Sequence, residues 1–265
     1  MKKPVALITG GSSGIGKATA VALQKMNYKV YTMSRREVQW DNEDIIHMVG
    51  DICSEIEVVK VFKEIMENES TLDIMVLAAG YGISGGIEFT EMADAQRQMQ
   101  VNFFGTFLCM KYGGRIMRKQ GHGRIFYLSS VAGEIAIPFQ GFYTSSKAAS
   151  SKLMEAYGGE LAPYGVECCV IMPGDVKTPF TEVREKSPKG DIEYQNRISK
   201  SVLKMENDER KGMSAEYVGE FIAKKAIQKS IRPYYGVDKG YAALLMLYRF
   251  LPRKLARYIV NKMYG

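Results

Sequence analysis

A chain of 265 residues, 46% hydrophobic and 25% charged, carries enough apolar material for one sizeable core and matches neither a disordered nor a fibrous composition. Its four cysteines, Cys53, Cys109, Cys168 and Cys169, form no CxxC pair, and only His47 and His122 are there to join them, so a disulfide framework, a structural metal site and a Ser-His-Asp scheme are all disfavoured. The net charge of +7 suits a cofactor phosphate, an anionic substrate or a membrane surface, and does not call for nucleic acid.

The first apolar run, Val5 to Thr9, is broken by Gly10-Gly11-Ser12-Ser13-Gly14 before a signal h-region is complete, so a cytoplasmic protein with an intact N-terminus is expected. That run predicts a parallel strand buried on both faces, followed by a helix from Ile15 to Lys25. Strands are predicted again at Lys29–Met33, Ile45–Val49, Leu72–Leu77, Arg124–Leu128, Val166–Ile171 and, more weakly, Pro233–Val237. Between them fall helices at Glu55–Met66, Met92–Arg118, Tyr143–Leu161 and Ala215–Lys229. This alternation predicts one α/β domain, a doubly wound parallel sheet with helices on both faces and right-handed crossovers, whose ligands sit beyond the carboxyl ends of the strands. Two stretches break the rhythm. Thr178 to Gly212 is polar and too long for a simple connection, which predicts a mobile lid over the site. The extension from about residue 239 to 265 is apolar and basic together, and Pro252 divides it into two short amphipathic helices. Arg249, Arg253, Lys254, Arg257 and Lys262 give its last 25 residues five positive charges with no acid, so it either lies on a membrane surface or packs over the substrate mouth or a subunit interface.

The turn Thr9-Gly10-Gly11-Ser12-Ser13-Gly14-Ile15-Gly16 joins the first strand to the first helix. Glycine there allows a tight turn and a close approach to a pyrophosphate, and the helix start offers free N–H groups to anionic oxygens. Its spacing is not the general Gly-x-Gly-x-x-Gly fingerprint. Farther on, Tyr143 and Lys147 are placed one helical turn apart, so an ammonium beside the phenol is expected to favour its ionised form. Such a pair alone is weak evidence, and its company strengthens it. Gly123 to Leu128 is a strand ending in Ser129-Ser130; Val101-Asn102-Phe103-Phe104-Gly105 lies in the long central helix; Pro173-Gly174-Asp175-Val176-Lys177-Thr178 follows the sixth strand.

Together, from about Val5 to Thr178, these motifs resemble the short-chain dehydrogenases/reductases, including hydroxysteroid and retinol dehydrogenase-like members. The resemblance implies a Rossmann domain and an oxidoreductase that moves a hydride between nicotinamide and a carbonyl or secondary alcohol. It implies catalytic roles for Asn102, Ser130, Tyr143 and Lys147: Ser130 orients the substrate oxygen, Tyr143 exchanges the proton, Lys147 lowers the tyrosine pKa and holds the nicotinamide ribose, and Asn102 links the site to solvent through water. The dinucleotide is expected to contact Thr9, Gly10, Ser12, Ser13, Gly14, Ile15, Gly16, Ser34, Arg35, Asp51, Ile52, Ala79, Gly80, Tyr143, Lys147, Pro173, Gly174, Val176 and Thr178. One departure stands out: the family's Asn-Asn-Ala-Gly turn is here Leu77-Ala78-Ala79-Gly80, which removes an asparagine that ties neighbouring strands. At the end of the second strand Ser34 replaces the acid that would hold an NAD ribose and Arg35 follows it, so NADP is expected over NAD. Ile83, Ile135, Ile137, Phe139, Met172 and Phe180 are candidates for an apolar pocket that takes a steroid-like or other hydrophobic ketone. A homodimer or homotetramer is expected. A catalytically quiet NADP sensor and a membrane-peripheral binding module are the alternatives.

Overall fold

The structure, a computed structural model, describes residues 2–265. In chain order it forms β1 (Val5–Thr9), α1 (Gly14–Lys25), β2 (Lys29–Ser34), β3 (Ile45–Val49), α2 (Glu55–Glu69), β4 (Ile74–Leu77) and the short β5 (Ile83–Ser84). Then come α3 (Met92–Met99), α4 (Thr106–Gln120), β6 (Gly123–Leu128), α5 (Gly141–Leu161), β7 (Val166–Met172) and β8 (Val176–Lys177). The chain ends with α6 (Phe180–Val183), β9 (Glu185–Lys186), α7 (Arg197–Arg210), β10 (Met213–Ser214), α8 (Ala215–Ala226), β11 (Tyr234–Gly236), α9 (Lys239–Phe250) and α10 (Arg253–Tyr264).

Seven strands make one parallel sheet in the order β11-β7-β6-β4-β1-β2-β3. The central strands are apolar on both faces because each face is covered: Phe62, Met75, Met110 and Met154 fill the layer under α2, α4 and α5, while Leu23, Val218 and Ile222 fill the layer under α1 and α8. Strand order reverses between β1 and β4, which opens a crevice at their carboxyl ends.

The central helix is not continuous. Between α3 and α4 a π-helical stretch spans Gln100–Gly105, where the Asn102 carbonyl accepts from the Thr106 hydroxyl at 2.8 Å and the Ser150 hydroxyl at 3.0 Å. The Thr178 to Gly212 excursion is more structured than its polarity suggests. β9 pairs in parallel with β5, and α7 buries Ile198, Val202 and Met205 against Phe139. The two helices expected on either side of Pro252 are present as α9 and α10.

Candidate active site

A cavity of about 500 Å³ opens at the crevice. At one end lies the glycine turn. Gly10 (φ 70°) and Gly14 (φ 53°) occupy the left-handed region, and a Cβ on Gly10 would fall 2.8 Å from the Ala79 main chain. Gly16 packs so closely that a Cβ would sit 2.4 Å from the Gly10 carbonyl. Ser13 precedes α1 without a side-chain cap and no acid occupies the first turn, so the helix start keeps free donors facing the cavity. This cradle fits the pyrophosphate of a dinucleotide: its surface is main chain, and the close contacts leave no room for side chains. A tie between neighbouring strands is present without the missing asparagine. The Thr9 hydroxyl accepts from Ala79 N at 3.2 Å and ties the ends of β1 and β4 directly.

At the end of β2 the main chain turns tightly. Ser34 Oγ donates to the Arg36 carbonyl at 2.9 Å, and His47 Nε2 reaches the same oxygen at 2.8 Å while its Nδ1 meets Thr32 Oγ1 at 2.8 Å. Both arginines line the cavity, but it is Arg36 whose Nη2 donates to Ser12 Oγ at 3.2 Å and Ser13 Oγ at 3.1 Å. Arg36 therefore reaches across the glycine turn, beside the Arg35 that was expected to meet the 2′-phosphate. Nothing in the residue types separates the two neighbours; the turn that Ser34 and His47 hold does. Asp51 and Ile52 face the same end, with Asp51 Oδ1 accepting from Cys53 N at 2.9 Å.

At the other end stand Ser130, Tyr143 and Lys147. Ser130 follows β6, where its Oγ accepts from Ala132 N at 3.1 Å and caps a short turn; its neighbour Ser129 is buried against Ser151 at 2.8 Å. Tyr143 and Lys147 occupy the first turns of α5 and both line the cavity. Burial pushes the Tyr143 phenol up to about 12, opposed by the Ser130 hydroxyl and then by Arg184, while Glu209 adds to the rise. Burial also pulls Lys147 down to about 7, and its Nζ donates to the Leu128 carbonyl at 2.7 Å. Tyr143 thus stands as a neutral phenol, a proton donor.

Asn102 does not open onto the cavity. It is 1% exposed; its Oδ1 accepts from Tyr81 N at 3.0 Å, and its Nδ2 donates to the Tyr81 carbonyl at 2.9 Å and to Ser146 Oγ at 3.0 Å. This side chain clamps the loop after β4 onto α5, and Asn102 itself sits within the helix distortion at Gln100–Gly105. Beyond β7, Pro173, Gly174, Val176 and Thr178 wall the middle of the cavity, with Thr178 against Gly14. Of the anticipated apolar lining, Ile137 and Phe180 take part; Ile83, Ile135, Phe139 and Met172 lie in buried packing elsewhere. The segment after β8 supplies what no motif announced: Val183, Arg184, Met205 and Glu209 complete the far wall, and Tyr264 from α10 closes it.

The short chain dehydrogenase family matches residues 4–189, and the chain belongs to it: it is an oxidoreductase of the short-chain dehydrogenase/reductase family. It is 34% identical over 232 residues to a 3-ketodihydrosphingosine reductase of Bacteroides thetaiotaomicron, covering 87% of this chain and 86% of that protein. It is also 30% identical over 252 residues to a probable short-chain type dehydrogenase/reductase, VdlC, of Helicobacter pylori, covering 94% and 93%. Among solved structures it resembles ElxO with NADP bound, with 27% identity, a TM-score of 0.76, and coverage of 92% of this chain and 100% of that one.

Proposed function

We propose that the protein is an NADPH-dependent reductase of long-chain ketones with a polar head, of the 3-ketodihydrosphingosine kind. The observation that carries this reading is the junction of two machineries in one cavity: a main-chain cradle for a dinucleotide, and Ser130, Tyr143 and Lys147 at its far end. The name of the Bacteroides relative supports the substrate class, and the NADP in the ElxO structure supports the cofactor. Arg36 over Ser12 and Ser13, with Ser34 in place of an acid, supports the 2′-phosphate over a free ribose hydroxyl.

The nicotinamide cofactor supplies the hydride. Ser130 and Tyr143 donate hydrogen bonds to the substrate oxygen, where negative charge develops, and Tyr143 gives up its proton there. A phenol held at about 12 arrives protonated at neutral pH, which suits reduction of a ketone. Asn102 and Ser146 hold the start of α5, and with it the phenol, in place. The test is turnover: NADPH consumption should follow addition of 3-ketodihydrosphingosine, and should be slower with steroid ketones of similar hydrophobicity. Cofactor binding without turnover across both classes would favour the NADP sensor and reject this reading.

A second reading concerns where such a substrate is met. On α9 and α10, whose own charged residues are all basic, Met246, Phe250 and Tyr258 are 65%, 78% and 64% exposed. None of the described helices is long and apolar enough to cross a membrane. We propose that this face lies on an anionic lipid surface, while Tyr264 on the inner side of α10 remains a wall of the cavity. Salt-sensitive sedimentation with anionic vesicles is expected, and no binding at any salt concentration would reject it. A homodimer or homotetramer is also proposed, supported by the exposed Phe104 and Phe107 on one helical face; a monomer in analytical ultracentrifugation would contradict it.

A further inference from the structure

The lid carries a charged pair next to the proton donor that the family's chemistry does not use. Arg184, at the end of α6, has a side chain only 3% exposed. Its Nη2 pairs with Glu209 Oε1 from α7, and Glu209 Oε2 accepts from the buried Thr181 hydroxyl at 2.6 Å. The guanidinium lies over the Phe180 ring, 5.3 Å from its centroid, and Phe180 in turn lies 5.7 Å from the Tyr143 ring. Phenol, aromatic ring and guanidinium therefore follow one another along one wall of the cavity, and all of them line it. The remaining nitrogen, Arg184 Nη1, is buried and has no hydrogen-bond partner. A buried donor left unpaired is costly, more so on a charged group.

We propose that Arg184 is a specificity-determining residue whose Nη1 receives a neutral oxygen, a hydroxyl or carbonyl, in the substrate's head beside the ketone. The inference rests on the ketone-reductase reading above and names the feature of the substrate that this wall selects. Neutrality follows from the surroundings. Glu209 already compensates the guanidinium, and the neighbouring Glu206 is held by Lys186 and Arg210. A carboxylate or phosphate brought to Nη1 would have to compete with Glu209 for the same charge, whereas a hydroxyl satisfies the donor and disturbs nothing. Only the Phe180 ring separates Arg184 from the Tyr143 ring along this wall, so the oxygen it selects is one carried near the ketone, in the head and not in the tail.

The experiment compares two ketones of one chain length with saturating NADPH, 3-ketodihydrosphingosine and its 1-deoxy analogue, by kcat/KM. A site built to hydrogen-bond an oxygen discriminates against its absence, and a preference of about 10- to 100-fold for the hydroxylated ketone is expected. Replacing both partners together, Arg184→Met with Glu209→Leu, leaves neither charge buried alone and should bring the preference to within about threefold. Arg184→Lys keeps a charge on Glu209 without the planar fork and should reduce the preference several-fold, which covers the case in which the double variant does not fold. Equal kcat/KM values in the wild type, or a preference that survives in the variants, would overturn the proposal. Turnover of neither ketone would overturn the substrate reading instead. Equilibrium binding of the two corresponding alcohols to the NADP complex then decides the role of Arg184: tighter binding of the diol, lost in the variants, supports it, and equal or absent binding rejects it.

Discussion

At its cofactor end the cavity holds a turn of main chain, with glycines at positions where a Cβ would strike Ala79 or the Gly10 carbonyl. At its substrate end the wall is side chain, contributed by α6, α7 and α10 from the last third of the chain. The first end is set by local geometry, a strand followed by a turn and a helix start, and offers any dinucleotide the same donors. The second is set by which long side chains the lid happens to bury there, Arg184 and Glu209 above all. A shared reaction and a private substrate can thus coexist on one sheet, because the parts that hold the cofactor have almost no freedom to vary while those that meet the substrate have a great deal.

The largest effect should come where the two ends meet. Tyr143→Phe removes the proton donor and should lower kcat by roughly 10²- to 10⁴-fold while NADPH affinity stays within a few-fold, by steady-state kinetics and fluorescence titration. Near-normal turnover would mean that proton transfer does not pass through this phenol.

Within the cofactor end, the two arginines sharpen the picture. Arg36→Ala should weaken NADPH binding by about 1.5–3 kcal/mol with little change for NADH, because it loses a charge-assisted contact to the 2′-phosphate. Arg35→Ala should cost less, as Arg36 is the one laid across Ser12 and Ser13. The reverse ranking, measured by titration, would return the role to Arg35.

Lys147 gives a pH test of how dry the junction is. Its value falls from an ordinary 10.5 to about 7, so the unfolded chain binds more protons between those limits and the lysine's cost to the fold fades as pH rises through them. The cost is full below about pH 7, where the lysine must be charged while buried. Thermal unfolding without cofactor should therefore show the wild type gaining on Lys147→Met between about pH 6 and pH 10. A difference in Tm that is flat with pH would mean the ammonium stays solvated.

The smallest effect concerns the lid itself. Hydrogen exchange in α6 and α7 should slow when cofactor and substrate are both bound, by about tenfold at a few amides, while the amides of β1 and β4 change little. Equal protection in the free protein would make the Thr178 to Gly212 segment scaffold, as fixed as the sheet.

What the sequence determined by itself follows from short-range rules. Buried parallel strands must be apolar throughout, so the main sheet strands were legible as runs such as Val5 to Thr9, and the glycine turn and the Tyr143–Lys147 pair were legible because one turn and one helical step fix their geometry. Even the break at Pro252 was readable from residue type alone. Tertiary structure decided the rest. Whether Arg35 or Arg36 covers the serines depends on His47, which β3 brings to the turn from another strand. Asn102 became a clamp because the loop after β4 and helix α5 take both its amide donors and meet its Oδ1. The burial that pushes the Tyr143 phenol up and the Lys147 ammonium down comes from the elements packed around them, and no spacing reports it. Arg184 and Glu209 stand 25 residues apart with no motif between them, and they meet only because α6 and α7 fold back over the cavity. Contacts made between elements distant in the chain leave no periodicity behind, and the Arg184–Glu209 side of the substrate wall is made of such contacts.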